Sequence, residues 1–162
     1  MLKLKPFKQS YGFCGPACFK MVMDYYGVER SEMYWGKLTA MKIRNGKIDR
    51  DAGCSDDKFI KAIRKIGFNG FCKDNSSIAE VKKFIAKGMP VIVNWFSPEQ
   101  GAHFSIVVGF EKDKIILADL YLGKLRKLPL ETFKDRWFDH MPYPIKSLKQ
   151  FYWVRRICVV YK

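Results

Sequence analysis

Four residues have the types and spacing that acyl chemistry needs. Cys14 stands in Q-S-Y-G-F-C-G-P-A-C, directly before Gly15-Pro16. Pro just inside a helix start is the expected asymmetry, so Cys14 falls at a helix mouth. The unpaired N–H groups and positive dipole end found there favour a thiolate and could hold an oxyanion. A thiolate nucleophile needs a base, and the chain has two histidines, His103 and His140. His103 heads the apolar run H-F-S-I-V-V-G-F, and Asp119 closes the next, K-I-I-L-A-D. A turn at Glu111-Lys112-Asp113 pairs these runs as a hairpin and predicts His103 and Asp119 as cross-strand neighbours. Asp119 would orient the imidazole, and Gln9, upstream of Cys14, would donate to the oxyanion. Asn94, on the preceding run, is the next candidate for the third role.

Each of these residues alone has a plainer reading: a buried small hydrophobe for Cys14, a hydrogen-bonded histidine, a turn aspartate. The ordered combination carries the signal. Cys18, one turn after Cys14, reads as core, and Cys54, Cys72 and Cys158 have no acid–base partner nearby in sequence. The five cysteines are odd in number and no C-x-x-C occurs, which argues against a disulfide framework and against a zinc site. No metal or cofactor is expected. His140, in D-H-M-P-Y-P, reads as an exposed loop residue.

The elements that must position these groups fall into two halves. Gly15-Pro16 opens a helix that stops at Gly27, Ser31 begins a second, Ser55-Asp56-Asp57 caps a third ending at Gly67, and Ser77 heads a fourth ending at Gly88. Residues 41–53 read as a basic loop. After Pro90 come V-I-V-N-W-F, the hairpin, a strand from Gly123 to Leu128, a short helix from Leu130 to Trp137, and a last strand in F-Y-W-V-R-R-I-C-V-V-Y. Helices first and strands afterwards predict an α+β fold, N-terminal helices packed on a C-terminal antiparallel sheet. The 162 residues suit one domain over 1–162, with a core at about 6–138 and an extension at 139–162.

With 48% hydrophobic and 28% charged residues, the composition excludes wholesale disorder. No apolar run is long enough to span a bilayer and no signal-peptide h-region follows Met1, so the expected location is cytoplasmic. The net charge of +14 attracts something acidic: a polyanion, an anionic membrane surface or an acidic peptide.

The chain resembles the papain-like cysteine peptidases of the bacteriocin-processing, double-glycine type. The resemblance rests on Q-S-Y-G-F-C-G-P-A-C-F-K-M-V-M-D-Y-Y-G, G-A-H-F-S-I-V-V-G-F and I-I-L-A-D, and covers roughly residues 6–138. It implies a papain-like fold, Cys14 as nucleophile, His103 as base, Asp119 as orienting carboxylate and Gln9 in the oxyanion hole. It also implies a leader-peptide substrate cut after Gly-Gly, and an ABC-type peptide exporter as partner at the cytosolic face of a membrane. Two other classes compete. One is a catalytically silent peptide-binding module on the same fold. The other is a basic nucleic-acid binder, suggested by the charge and by K-Q-F-Y-W-V-R-R, although no binding motif is present.

Overall fold

The computed structural model describes residues 1–40, 42–140 and 152–162. Its first element is α1 (Cys14–Tyr25), followed by α2 (Glu32–Thr39) and α3 (Asp56–Arg64). The sequence supplies their stops and starts. The Ser31 and Ser55 hydroxyls accept from the N–H groups of Tyr34 and Lys58, satisfying donors that a helix start leaves open. Gly27 and Gly67 close α1 and α3 at φ +82°, a conformation that costs glycine little. Residues 41–53, expected as loop, instead carry a two-stranded ribbon, β1 (Ile43–Arg44) with β2 (Lys47–Ile48), and a 3-10 turn at Arg50–Ala52.

A six-stranded antiparallel sheet forms the centre. Its strands are β3 (Asn69–Lys73), β4 (Val91–Ser97), β5 (Gly101–Glu111), β6 (Lys114–Asp119), β7 (Lys124–Pro129) and β10 (Ile157–Tyr161). The spatial order is β3-β10-β4-β5-β6-β7. Before β4 comes α4 (Ile78–Ala86), with a complete Ser77–Glu80 capping box, and after β7 comes α5 (Leu130–Asp135). A small ribbon pairs β8 (Phe138–His140) with β9 (Tyr152–Val154). His140 therefore lies on a strand rather than in a loop, while the proline-bearing stretch after it falls outside the described residues.

Strand alternation divides the core into two layers. Ile92, Phe104, Ile106, Val108 and Val160 pack against α1, α2 and α3 through Phe19, Trp35, Phe59 and Ile63. Their neighbours Val91, Val93, Trp95, Val107 and Val159 pack against Val81 of α4, Phe133 of α5 and Trp137. Helices thus cover both faces of the sheet.

The expected fold class holds, with two changes. The sequence reading passes over β3, where a short N-G-F-C-K run lacks a clear strand signal. It also treats the last strand as an extension, whereas β10 is hydrogen-bonded on both sides, to β3 and to β4. The same pairing overturns the expectation that the cysteines stay unpaired. Cys72 and Cys158 lie directly opposite one another with Cα atoms 4.1 Å apart, and form a disulfide. Arg156, from the basic stretch proposed to meet polyanions, donates to Asp56 and Asp74, so its charge is neutralised within the fold.

Candidate active site

The approach to Cys14 is held from several sides. Gln9 N–H donates to the Leu120 carbonyl at 3.0 Å, which lays the chain beside the end of β6. Ser10 N–H donates to Glu32 Oε1 at 2.9 Å. Arg50 donates to the Tyr11 carbonyl and stacks 4.2 Å over the Phe13 ring. Phe13 occupies the N-cap of α1 and offers no capping oxygen. No acidic side chain occupies the first turn either, so no anion of the helix's own first turn competes for the dipole end.

Cys14, half-buried, is the first residue of α1. A Cβ built on Gly15 would lie 1.9 Å from Cys54 Sγ and 3.7 Å from the Phe104 ring. The helix mouth therefore packs against the residue next to His103, at a spacing only glycine permits. Burial pushes the Cys18 and Cys54 thiols up, and the Cys14 sulfur beside them pushes further in the same direction. Three sulfurs thus share one neighbourhood, and the two behind Cys14 are held as thiols.

His103 is 1% exposed and sits across from Trp95 in the β4–β5 ladder. His103 and Phe104 leave β5 on alternate faces, so Phe104 meets α1 while His103 turns to the face carrying Trp95 and Ser105. Burial lowers His103 from its ordinary 6.5 to about 4; Asp119 opposes the shift, and Arg126 adds to it. Among the described residues, His103 Nε2 is buried with no hydrogen-bond partner.

Asp119, also 1% exposed, ends β6. The β5–β6 register pairs Ile106 with Ala118, and one further step puts Asp119 opposite Ser105. Asp119 is therefore a diagonal neighbour of His103 on the same face, not its direct partner as the hairpin arithmetic expected. The turn is a two-residue one centred on Lys112-Asp113 and closed by the Glu111–Lys114 pair, and the ladder shifts register between Val107 and Gly109, so Asp119 falls opposite Ser105. Asp119 Oδ1 accepts from Leu122 N–H at 3.0 Å, and Oδ2 lies 2.8 Å from Arg126 Nε in an ion pair that is outside hydrogen-bond alignment.

The expected residues are thus placed as follows. His103 and Asp119 come together on one face. Cys14 arrives at the same end of β5 through the contact of Gly15 with Phe104. Gln9 borders Leu120, with its Oε1 buried and without a hydrogen-bond partner among the described residues. Asn94 is buried, opposite Phe104, with neither amide atom partnered among the described residues. The sequence reading missed Arg126, Glu99 and Trp95. Arg126 is one of 30 cations in the chain, and only the β6–β7 register, which pairs Leu117 with Arg126 and Asp119 with Lys124, singles it out.

Comparisons with known proteins agree with this architecture. The model of the Peptidase_C39-like family matches residues 1–141. The lactococcin-G-processing and transport ATP-binding protein LagD of Lactococcus lactis subsp. lactis is 27% identical over 139 residues, 85% of this chain. The match covers 18% of that relative's length. Two crystal structures share the fold. One is a double glycine motif protease from an AMS/PCAT transporter, in complex with the leader peptide. It has a TM-score of 0.69 at 19% identity, over 98% of this chain and 91% of that one. The other is the peptidase domain of Streptococcus ComA, a bi-functional ABC transporter, with a TM-score of 0.65 at 19% identity, over 98% and 96%. With its matched region running from the first residue through the α1 mouth, strands β4 to β7 and α5, the chain belongs to the Peptidase_C39-like family and is a cysteine peptidase.

Proposed function

We propose that Cys14, His103, Asp119 and Gln9 form the catalytic apparatus, and that the substrate is a leader peptide cleaved after a Gly-Gly pair. The observation that carries the residue assignment is the placement of the uncapped α1 mouth against Phe104, while the adjacent His103 is buried with Asp119. The substrate class rests on the likeness to LagD, a processing and transport protein, and to the double glycine motif protease. The location follows the same likeness: the cytosolic face of a membrane, beside an ABC-type peptide exporter. Among the described residues no helix is long and apolar enough to cross a membrane.

In this reading, His103 takes the Cys14 proton and the Sγ lone pair attacks the scissile carbonyl carbon. The carbonyl π electrons move to oxygen, where N–H groups of the α1 mouth and the Gln9 amide stabilise the charge. Collapse breaks the C–N bond, and imidazolium gives its proton to the departing amine. Water, deprotonated by His103, then attacks the thioester and releases the leader acid and Cys14. The +14 charge would steer an acidic leader toward the enzyme.

The test is incubation with synthetic double-glycine leader peptides, read by mass spectrometry, beside iodoacetamide labelling of Cys14 across pH. Cleavage after Gly-Gly that disappears in Cys14→Ala, with fast labelling well below pH ~8.5 that slows in His103→Ala, is the expected outcome. Ordinary slow labelling, unchanged in His103→Ala, would refute the pairing of Cys14 with His103. Efficient cleavage of peptides lacking the Gly-Gly pair would refute the substrate class alone.

A further inference from the structure

Arg126 of β7 is tied at both ends of its guanidinium. Nε lies 2.8 Å from Asp119 Oδ2, while Nη1 and Nη2 donate to the two Glu99 oxygens at 3.1 and 3.0 Å. Glu99 sits in the β4–β5 turn and accepts a further bond, 2.7 Å, from Ser97 Oγ. Below the guanidinium lies the Trp95 ring, its centroid 5.8 Å away, and Trp95 Nε1 donates to Ser105 Oγ at 3.0 Å. The Arg126 side chain is 12% exposed, and Asp119 is at 1%. A planar fork is the group suited to bridge two carboxylates, and a point-charge ammonium cannot reproduce that geometry.

We infer that Arg126 is a positioning residue: held by Glu99 and by the Trp95 face, it fixes the Asp119 carboxylate beside His103. The inference rests on the reading of His103 and Asp119 as base and orienting acid. The Leu122 N–H holds one Asp119 oxygen by a hydrogen bond, and the Arg126 charge holds the other by an ion pair, so the carboxylate is drawn from both sides. Glu99 in turn holds Arg126. The chain Ser97–Glu99–Arg126–Asp119 therefore joins the turn that begins β5 to the end of β6, the two strand ends between which His103 works. Buried as it is, Asp119 would otherwise be an anion without a countercharge. The charge of Arg126 also disfavours a proton on His103.

The test uses the full chain and two readouts that need no substrate. The first is the rate of Cys14 labelling by iodoacetamide at pH 7. The second is the tautomer balance of His103 from its ring 15N shifts, with His140 as internal reference. Arg126→Lys keeps the charge and loses the fork. It is expected to slow labelling by up to roughly 10²-fold, the cost of a misplaced catalytic group, and to shift the His103 tautomer balance. Glu99→Gln, at a half-exposed position, should move both readouts in the same direction by less. In an Asp119→Asn background, Arg126→Lys should add nothing, because Arg126 acts through Asp119. An unchanged tautomer balance in both single variants would overturn the inference. So would losses that multiply in the double variant. If the wild type labels like an ordinary thiol, the role given to Cys14 falls, and the His103 spectra alone still decide the role of Arg126.

Discussion

At the scale of single residues, the proposed nucleophile Cys14 stands before two thiols that burial makes poor nucleophiles. Burial pushes Cys18 and Cys54 up, so brief treatment with iodoacetamide at neutral pH should modify Cys14 first, as peptide mapping would show. Cys14→Ala should abolish turnover and leave the circular dichroism spectrum unchanged. Asp119→Asn should lower kcat by roughly 10²- to 10⁴-fold, the range typical of general acid–base assistance, with KM less affected. His103 also links folding to pH. Burial holds its folded value at about 4, below the ordinary 6.5. Between those values the unfolded chain binds the extra proton and the folded chain does not. Stability is therefore full above pH 6.5 and declines as pH falls through that window. Thermal melts from pH 7 to pH 4 should show this decline, and it should be shallower in His103→Asn.

At the scale of elements, the helix mouth depends on Gly15. Gly15→Ala would drive a Cβ into Cys54 Sγ, and overpacking of this kind costs about 1–3 kcal/mol. Melting temperature should drop and Cys14 labelling should slow together. A fall in stability with unchanged labelling would show that the α1 mouth tolerates displacement. Helix ends were legible because Ser31, Ser55 and Ser77 act locally, on N–H groups three residues away. The triad candidates were legible because a helix-start cysteine, a strand-start histidine and a strand-end aspartate each follow from local pattern. The register of His103 against Asp119 came out one repeat off, since the turn centre and the irregularity between Val107 and Gly109 set the pairing, and residue types leave both open by a residue or two. Arg126, Glu99 and Trp95 escaped notice for a different reason. Their importance comes only from strands lying side by side, and nothing in K-L-R-K-L-P marks its arginine as the one facing an aspartate.

At the scale of the whole molecule, the least local feature was also the least legible. The sequence places Cys72 and Cys158 86 residues apart, and no short-range pattern hints that β10 runs between β3 and β4. A crosslink spanning so long a loop stabilises by roughly 2–5 kcal/mol. Reduction, or Cys72→Ser with Cys158→Ser, should lower the melting temperature while leaving Cys14 labelling at low temperature intact. Removing residues 155–162 should be far more damaging, because it exposes facing edges of β3 and β4 and takes Cys158 and Val160 from one core layer and Ile157 and Val159 from the other. The expected result is an insoluble or molten product by near-UV circular dichroism. The place of β10 also sets a schedule for biosynthesis. Helices α1 to α3 and the hairpin β4–β5 can form as they leave the ribosome, but β3 has no neighbour until residues 157–161 emerge. Until those residues emerge the nascent chain holds an open sheet, a state prone to aggregation.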